Sequence, residues 1–131
     1  MSFSYLKFEN SKLYITSAGM PPIYYYNKSV GVIEEIVMKG MPLGAMANFP
    51  YKIHEKVVKS GDIILLLTDG IPEQMNENEE MYDYPRVKDQ FVKVAEKAPS
   101  EIIDHFIKSC DDWMGSANQA DDITIMVIRI K

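Results

Sequence analysis

The sequence predicts an α+β domain: antiparallel β-sheets with helices segregated to the outside. Three observations carry that expectation. Apolar and polar residues alternate through most of the first half, as in half-buried strands. Apolar residues recur at helical spacing between Arg86 and Met114, and an apolar stretch from Ile123 to Ile130 closes the chain as a buried strand. With 131 residues there is room for one domain and not for two.

The elements follow in order. Tyr5, Lys7 and Glu9 alternate with Leu6 and Phe8, Asn10-Ser11 makes a turn, and Leu13-Tyr14-Ile15 resumes the pattern as the second arm of a hairpin. Gly19-Met20-Pro21-Pro22 interrupts it, because proline cannot donate to a ladder. Ile23 to Tyr26 and Val32 to Val37 form a second hairpin around Asn27–Gly31. The tyrosine run 24–26 fits either a binding edge or plain strand propensity, and propensity suffices. A loop spans Met38 to Pro50, and Tyr51 to Val58 alternates again with Tyr51, Ile53 and Val57 on one face. After a Ser60-Gly61 turn, Ile63–Leu67 is apolar on both faces, as a central strand should be. A Glu-rich loop covers 75–84. Val87, Phe91, Val94, Ala95 and Ala98 mark one helix. Pro99 and Ser100 restart a second, with Pro in the first turn and Ser as N-cap. Its stripe is Ile102, Ile103, Phe106, Ile107, Cys110, Trp113 and Met114, and Gly115 is the stop.

Composition excludes several classes of function. Fourteen Lys+Arg against 19 Asp+Glu give a net charge of −5, the wrong sign for gripping a nucleic-acid backbone. Apolar residues make up 47%, enough for a core and too many for a disordered chain. Cys110 is the single cysteine, so no internal disulfide and no Cys-rich zinc site can form, which fits a reducing compartment. The longest apolar run, Ile63 to Leu67, cannot span a bilayer, and the N-terminus lacks the pattern of a signal peptide. These features lead us to expect a cytoplasmic setting with no membrane partner.

Two acidic positions stand out. Asp69 follows the central strand directly, and Asp121-Asp122 precedes the last strand. Antiparallel pairing of those strands would bring Asp69 and Asp121 to one end of the sheet, where a divalent cation relieves carboxylate repulsion. The plain alternative is a turn at Asp69-Gly70 and a strand-leading bend at Asp121-Asp122. His54 and His105 read as surface histidines on polar faces, and Cys110 as a packing thiol. Gly61-Asp62 reads as a simple turn. No G-x-S-x-G, P-loop or G-x-G-x-x-G occurs.

The run Gly61-Asp62-Ile63-Ile64-Leu65-Leu66-Leu67-Thr68-Asp69-Gly70-Ile71-Pro72-Glu73 resembles the "GD-x-L-x-x-x-TDG-x-x-E" element of metal-dependent, PPM-type protein phosphatases, in particular their bacterial SpoIIE-like branch. Gln119-Ala120-Asp121-Asp122-Ile123-Thr124 is similar to the closing "DD-x-T" element. Ser17-Ala18-Gly19-Met20-Pro21-Pro22 resembles the "NAGH-x-P" loop, and Pro42-Leu43-Gly44 the "PLG" step. Order and spacing agree over nearly the whole chain. The resemblance implies removal of phosphate from Ser or Thr of a phosphoprotein substrate by two Mn²⁺ or Mg²⁺ ions that activate a bridging water, without a protein nucleophile. It assigns Asp69 and Asp121 as metal ligands, with Asp122 and Gly70 beside them.

Departures accompany the match. Met20 stands where the family has His, Ser17 where it has Asn, and Tyr82-Asp83-Tyr84-Pro85 replaces a Gly-containing segment. Nothing in residues 1–60 resembles the Gly-Asp element that supplies the bridging aspartate. Residues 1–131 are therefore expected to form a single, incomplete PPM-type domain whose N-terminal part is missing. Asp69 and Asp121 alone cannot complete a two-metal centre, so the isolated chain is expected to be inactive. Two readings follow: the C-terminal part of a phosphatase, acting on a signalling protein such as an anti-sigma-factor antagonist, or a degenerate module that binds a protein partner. Without its N-terminal part the sheet should expose apolar surface, with Ile15, Tyr24 and Tyr26 facing water, and a homodimer or association with the missing part should cover it.

Overall fold

The alternation of the first hairpin requires a tight reversal, and Asn10 and Ser11 supply it with φ of 50° and 59°. That left-handed pair matches the twist of the strands it joins. The computed structural model describes residues 1–131. In chain order the elements are β1 (Phe3–Glu9), β2 (Lys12–Ala18), β3 (Ile23–Asn27), β4 (Val32–Ile36), β5 (His54–Val57), β6 (Ile63–Leu67), α1 (Tyr84–Val94), α2 (Pro99–Met114) and β7 (Ile125–Arg129). All strand pairs are antiparallel, in a three-stranded sheet β1-β2-β5 and a four-stranded sheet β4-β3-β6-β7. This is the α+β class that the sequence predicts. No helix is long and apolar enough to cross a membrane.

Two cores define three layers. Between the sheets lie Leu13, Ile15, Ile23, Tyr25, Ile36, Val58 and Ile64. On the other face of the four-stranded sheet, Tyr24, Tyr26, Ile63, Leu65 and Leu67 pack against Val87 and Phe91 of α1 and Ile102, Phe106 and Cys110 of α2. The period-2 rule thus sorts β3 and β6 between the two cores residue by residue.

Several expectations need correction. Ile15, Tyr24 and Tyr26 are buried, because each faces one of the two cores. The apolar surface left bare is the outer face of the three-stranded sheet, where the register places Phe3, Tyr5 and Val57 on one side, with Ile53, 72% exposed, just before β5. β7 is half-buried rather than buried, since it forms the edge beyond β6. Ala98, not Ser100, is the N-cap of α2, and the Glu101 side chain accepts from its backbone N–H at 3.0 Å. The α2 stripe is narrower than its spacing suggests: Ile102, Phe106 and Cys110 are buried, while Ile107 is exposed. His54 sits opposite Ile15 and so shares the inner face of its sheet. His105 bonds Gln90 across the two helices at 2.8 Å, and burial, then the Lys93 charge, lowers its pKa.

Asp62 is no simple turn residue. It is 2% exposed, and its carboxylate accepts from the Tyr25 hydroxyl, the Lys28 N–H at 3.0 Å and the Lys59 N–H at 2.9 Å. Burial foremost, then this bond to Asp62, raises the Tyr25 pKa, keeping the phenol a donor. The Asp62 carbonyl also takes the Ile130 N–H at 2.9 Å, which ties down the end of the chain. Asp62→Ala leaves three donors without their acceptor and should cost about 3 kcal/mol or more in urea denaturation. Asp62→Asn should cost clearly less. Equal losses would show that the carboxylate is not what these donors need.

Candidate functional site

Leu67 faces Ile125 in the register of β6 with β7. The chain leaving β6 and the chain entering β7 therefore share one end of the sheet. Thr68 extends the pairing: its N–H donates to the Thr124 carbonyl at 3.1 Å, its hydroxyl donates to the Asp122 carbonyl at 3.2 Å, and that hydroxyl accepts from the Thr124 N–H at 2.9 Å. Asp69 and Asp121 thus come to the same end, as antiparallel pairing requires, and both are exposed. The Asp69 carbonyl accepts from the Glu73 N–H at 2.9 Å, opening a tight turn. Asp121 Oδ1 accepts from the Asp122 N–H at 2.7 Å.

Gly70 holds the two segments close. A Cβ there would stand 2.4 Å from the Asp122 carbonyl oxygen, so only glycine lets the strands' extensions touch. The exposed Asp122 side chain is not part of that contact.

The same end gathers two more segments. β3 runs antiparallel to both β4 and β6, so Ser17–Pro22 enters the four-stranded sheet here and residues 37–53 leave from it. The two loops are pressed together: Gly19 N–H donates to the Gly40 carbonyl at 3.0 Å, and a Cβ on Gly40 would lie 2.5 Å from the Ser17 carbonyl. The Ser17 hydroxyl bonds that of Ser4 at 3.0 Å. All four stretches singled out in the sequence therefore converge at one rim.

The donor set there is incomplete for a metal. No three His, Cys, Asp or Glu side chains are grouped to hold an ion, whereas a hard divalent cation takes six or more oxygens. Asp69 and Asp121 alone do not fit a two-metal centre.

Sequence reasoning missed residues beside the aspartates. Gln74 is fully buried under this end, and nothing in its spacing signals it. Tyr84 leads α1, and burial, then the charges of Glu73, Asp69 and Asp83, raises its pKa. Arg86 lies 3.9 Å from the Trp113 ring centroid, linking the start of α1 to the end of α2.

The model of the family described as Stage II sporulation protein E (SpoIIE) matches residues 1–131. Phosphoserine phosphatase RsbU of Bacillus subtilis is 29% identical over 118 residues, which cover 88% of this chain and 34% of that protein. The SiaA-PP2C domain of Pseudomonas aeruginosa superposes with a TM-score of 0.78 at 24% identity, covering 92% of this chain and 47% of that one. The phosphatase domain of the cell fate determinant SpoIIE from Bacillus subtilis, presoaked with Mn, gives 0.71 at 19% identity, covering 99% and 56%. The chain thus spans about a third of the curated relative and about half of the solved domains.

Asp83, within the segment that replaces the family's glycine, keeps a glycine-like backbone, with φ 68° and ψ 158°. Such strain costs about 1–3 kcal/mol, and losing its cap to Tyr84 N–H costs a few tenths when glycine is the replacement. Asp83→Gly should therefore raise the melting temperature, and Asp83→Ala should lower it. A lower melting temperature for Asp83→Gly would mean the cap outweighs the strain.

Proposed function

The chain belongs to the SpoIIE family, and from that membership we propose that it is the C-terminal part of a metal-dependent phosphatase. Its substrate class would be phosphoserine or phosphothreonine on a cytoplasmic signalling protein, with an anti-sigma-factor antagonist as one candidate. The observation that supports this most is the convergence of four family-like stretches on one rim, with Asp69 and Asp121 both exposed there. In this reading the two aspartates are ligands of Mn²⁺ or Mg²⁺, and Gly70 and the Asp122 backbone fix the spacing of the segments that carry them. The remaining donors would come from the half of the domain that the solved structures have beyond the matched region. A bound metal pair would supply an activated water and neutralise phosphoryl charge. This chain's own share is to present two exposed carboxylates at the mouth of the sheet, that of Asp121 with one oxygen bonded to the Asp122 N–H.

A second reading, a non-catalytic module that binds a protein, is favoured by the incomplete carboxylate set and by Met20 and Ser17 in the loop beside it. One comparison separates the two. The isolated chain is expected to give no turnover of p-nitrophenyl phosphate with Mn²⁺, and turnover lost on Asp69→Asn would overturn that. In a longer protein joining this sequence to an upstream Gly-Asp element, Asp69→Asn should remove most activity while melting stays unchanged. Full activity in that variant would leave the binding module as the better account.

We further propose that the bare face of the three-stranded sheet is covered in solution. Phe3 and Tyr5 of β1 are exposed on the same face as Val57 of β5 and Ile53 just before it, between the sheet's two unpaired edges, and a two-fold pairing with a second copy would bury them. Light scattering at tens of micromolar should give the mass of two chains. The mass of one chain would show that this face tolerates water.

A further inference from the structure

The register that sets Leu67 beside Ile125 also sets Ile63 beside Arg129, so β6 begins and β7 ends at the rim opposite Asp69 and Asp121. Two adjoining clefts of about 560 and 480 Å³ open there, sharing Tyr26, Ala95 and Glu96. Lys93 and Lys97 line one, and Lys28, Arg129 and Lys131 line the other. None of these five cations takes part in the chain's four ion pairs. The single carboxylate on the walls is Glu96, and the Tyr26 hydroxyl donates to it at 2.7 Å. Glu101, in the first turn of α2, is occupied by the Ala98 N–H. Two of the cations are held in place. The Lys28 N–H donates to buried Asp62, and its aliphatic stem lies across Gly61, where a Cβ would stand 2.5 Å from Lys28 Cδ. The Arg129 guanidinium donates to the Lys97 carbonyl at 2.6 Å, tying the end of β7 to the connection between α1 and α2.

We propose that this basic end of the four-stranded sheet is a docking surface for an acidic segment of a partner protein. Five side-chain cations and one carboxylate give the two clefts a net +4, in a chain whose side chains sum to −5. The rest of the molecule therefore carries −9. Like charges gathered without counter-charges repel one another, and an anion seated among them relieves that repulsion. The same asymmetry selects the size of the anion. Asp69, Glu73, Asp121 and Asp122 stand exposed at the other rim, a five-residue strand away. That is roughly 15 Å, little more than the Debye length of about 10 Å at moderate salt. A nucleic-acid duplex or a charged bilayer extends past the patch and meets the acidic remainder. A short acidic peptide stays within the clefts, where its carboxylates accept from the lysine ammonium groups and the guanidinium. The inference stands apart from the catalytic reading, since it uses neither Asp69 nor Asp121 and no metal.

A fluorescent hexaglutamate peptide titrated into the chain at low ionic strength should bind. Amide shifts should concentrate at Lys28, Gly61 and Lys97 and be absent at Asp69 and Gly70. Lys28 and Lys93 are exposed, and Lys28→Glu and Lys93→Glu should each weaken binding about fivefold or more. If Lys28→Glu fails to fold, Lys93→Glu decides alone. Lys108→Glu makes the same change of charge on an exposed part of α2, outside the clefts, and should alter binding by less than about twofold. Absence of peptide binding, or shifts centred away from the clefts, overturns the proposal. Equal weakening by Lys108→Glu overturns it as well, since the peptide is then reading net charge and not this patch. A DNA duplex, or vesicles of equal parts phosphatidylserine and phosphatidylcholine, held as tightly as the peptide in the same buffer would overturn the choice of an acidic protein segment.

Discussion

β6 is paired on both edges and covered on both faces, and that double burial constrains everything near it. Ile64 faces the core between the sheets, while Ile63, Leu65 and Leu67 face the helices. A strand so enclosed must have its end peptides satisfied from within the protein, because unpaired buried backbone is costly. Short polar side chains do this at both ends. Asp62 gathers the turns at Lys28 and Lys59 and the Tyr25 phenol at the start, and Thr68 stitches β6 to the Thr124 backbone at the finish. The central strand is thus held in register by one carboxylate and one hydroxyl.

Those two ends separate structural from available carboxylates. Asp62 has two backbone N–H donors and a phenol on its oxygens, no access to water and a fixed place in the core. Asp69, one residue beyond Thr68, is fixed through its backbone carbonyl and leaves its side chain in solvent. A carboxylate surrounded by donors has little capacity left for a cation, whereas one held by its backbone has all of it. That difference, rather than the acidic residue type, singles out Asp69 over Asp62 as a ligand candidate.

The hairpins were legible in the sequence because their signals are local: alternation over a few residues, and turn residues that tolerate positive φ. Ile63–Leu67 was legible because a five-residue apolar run has few other uses. Which face of β1, β2 and β5 would be covered was not legible, since alternation distinguishes two faces without saying what packs on either. Ser100 misled as a cap because Pro99 already occupies the first helical position, which moves the cap back to Ala98. Asp62 and Gln74 escaped notice for a different reason. Their partners lie 37 and 46 residues away in sequence, at Tyr25 and Ala120, and no spacing rule reaches that far. That Asp69 and Asp121 lie at the same end of the sheet was legible despite their distance in sequence, because one antiparallel ladder suffices to imply it.

The bare outer face and the incomplete donor set have a common geometric origin. The two sheets already form their shared core, and the helices cover one outer face only. β1, β4, β5 and β7 each keep one unpaired edge. A strand added antiparallel to β7 would end at the rim where Asp69 and Asp121 stand, because β7 starts there opposite Leu67. A carboxylate just beyond the tip of that strand would arrive beside the two already present. Additional ligands can therefore join this rim by edge pairing alone, with neither core rearranged.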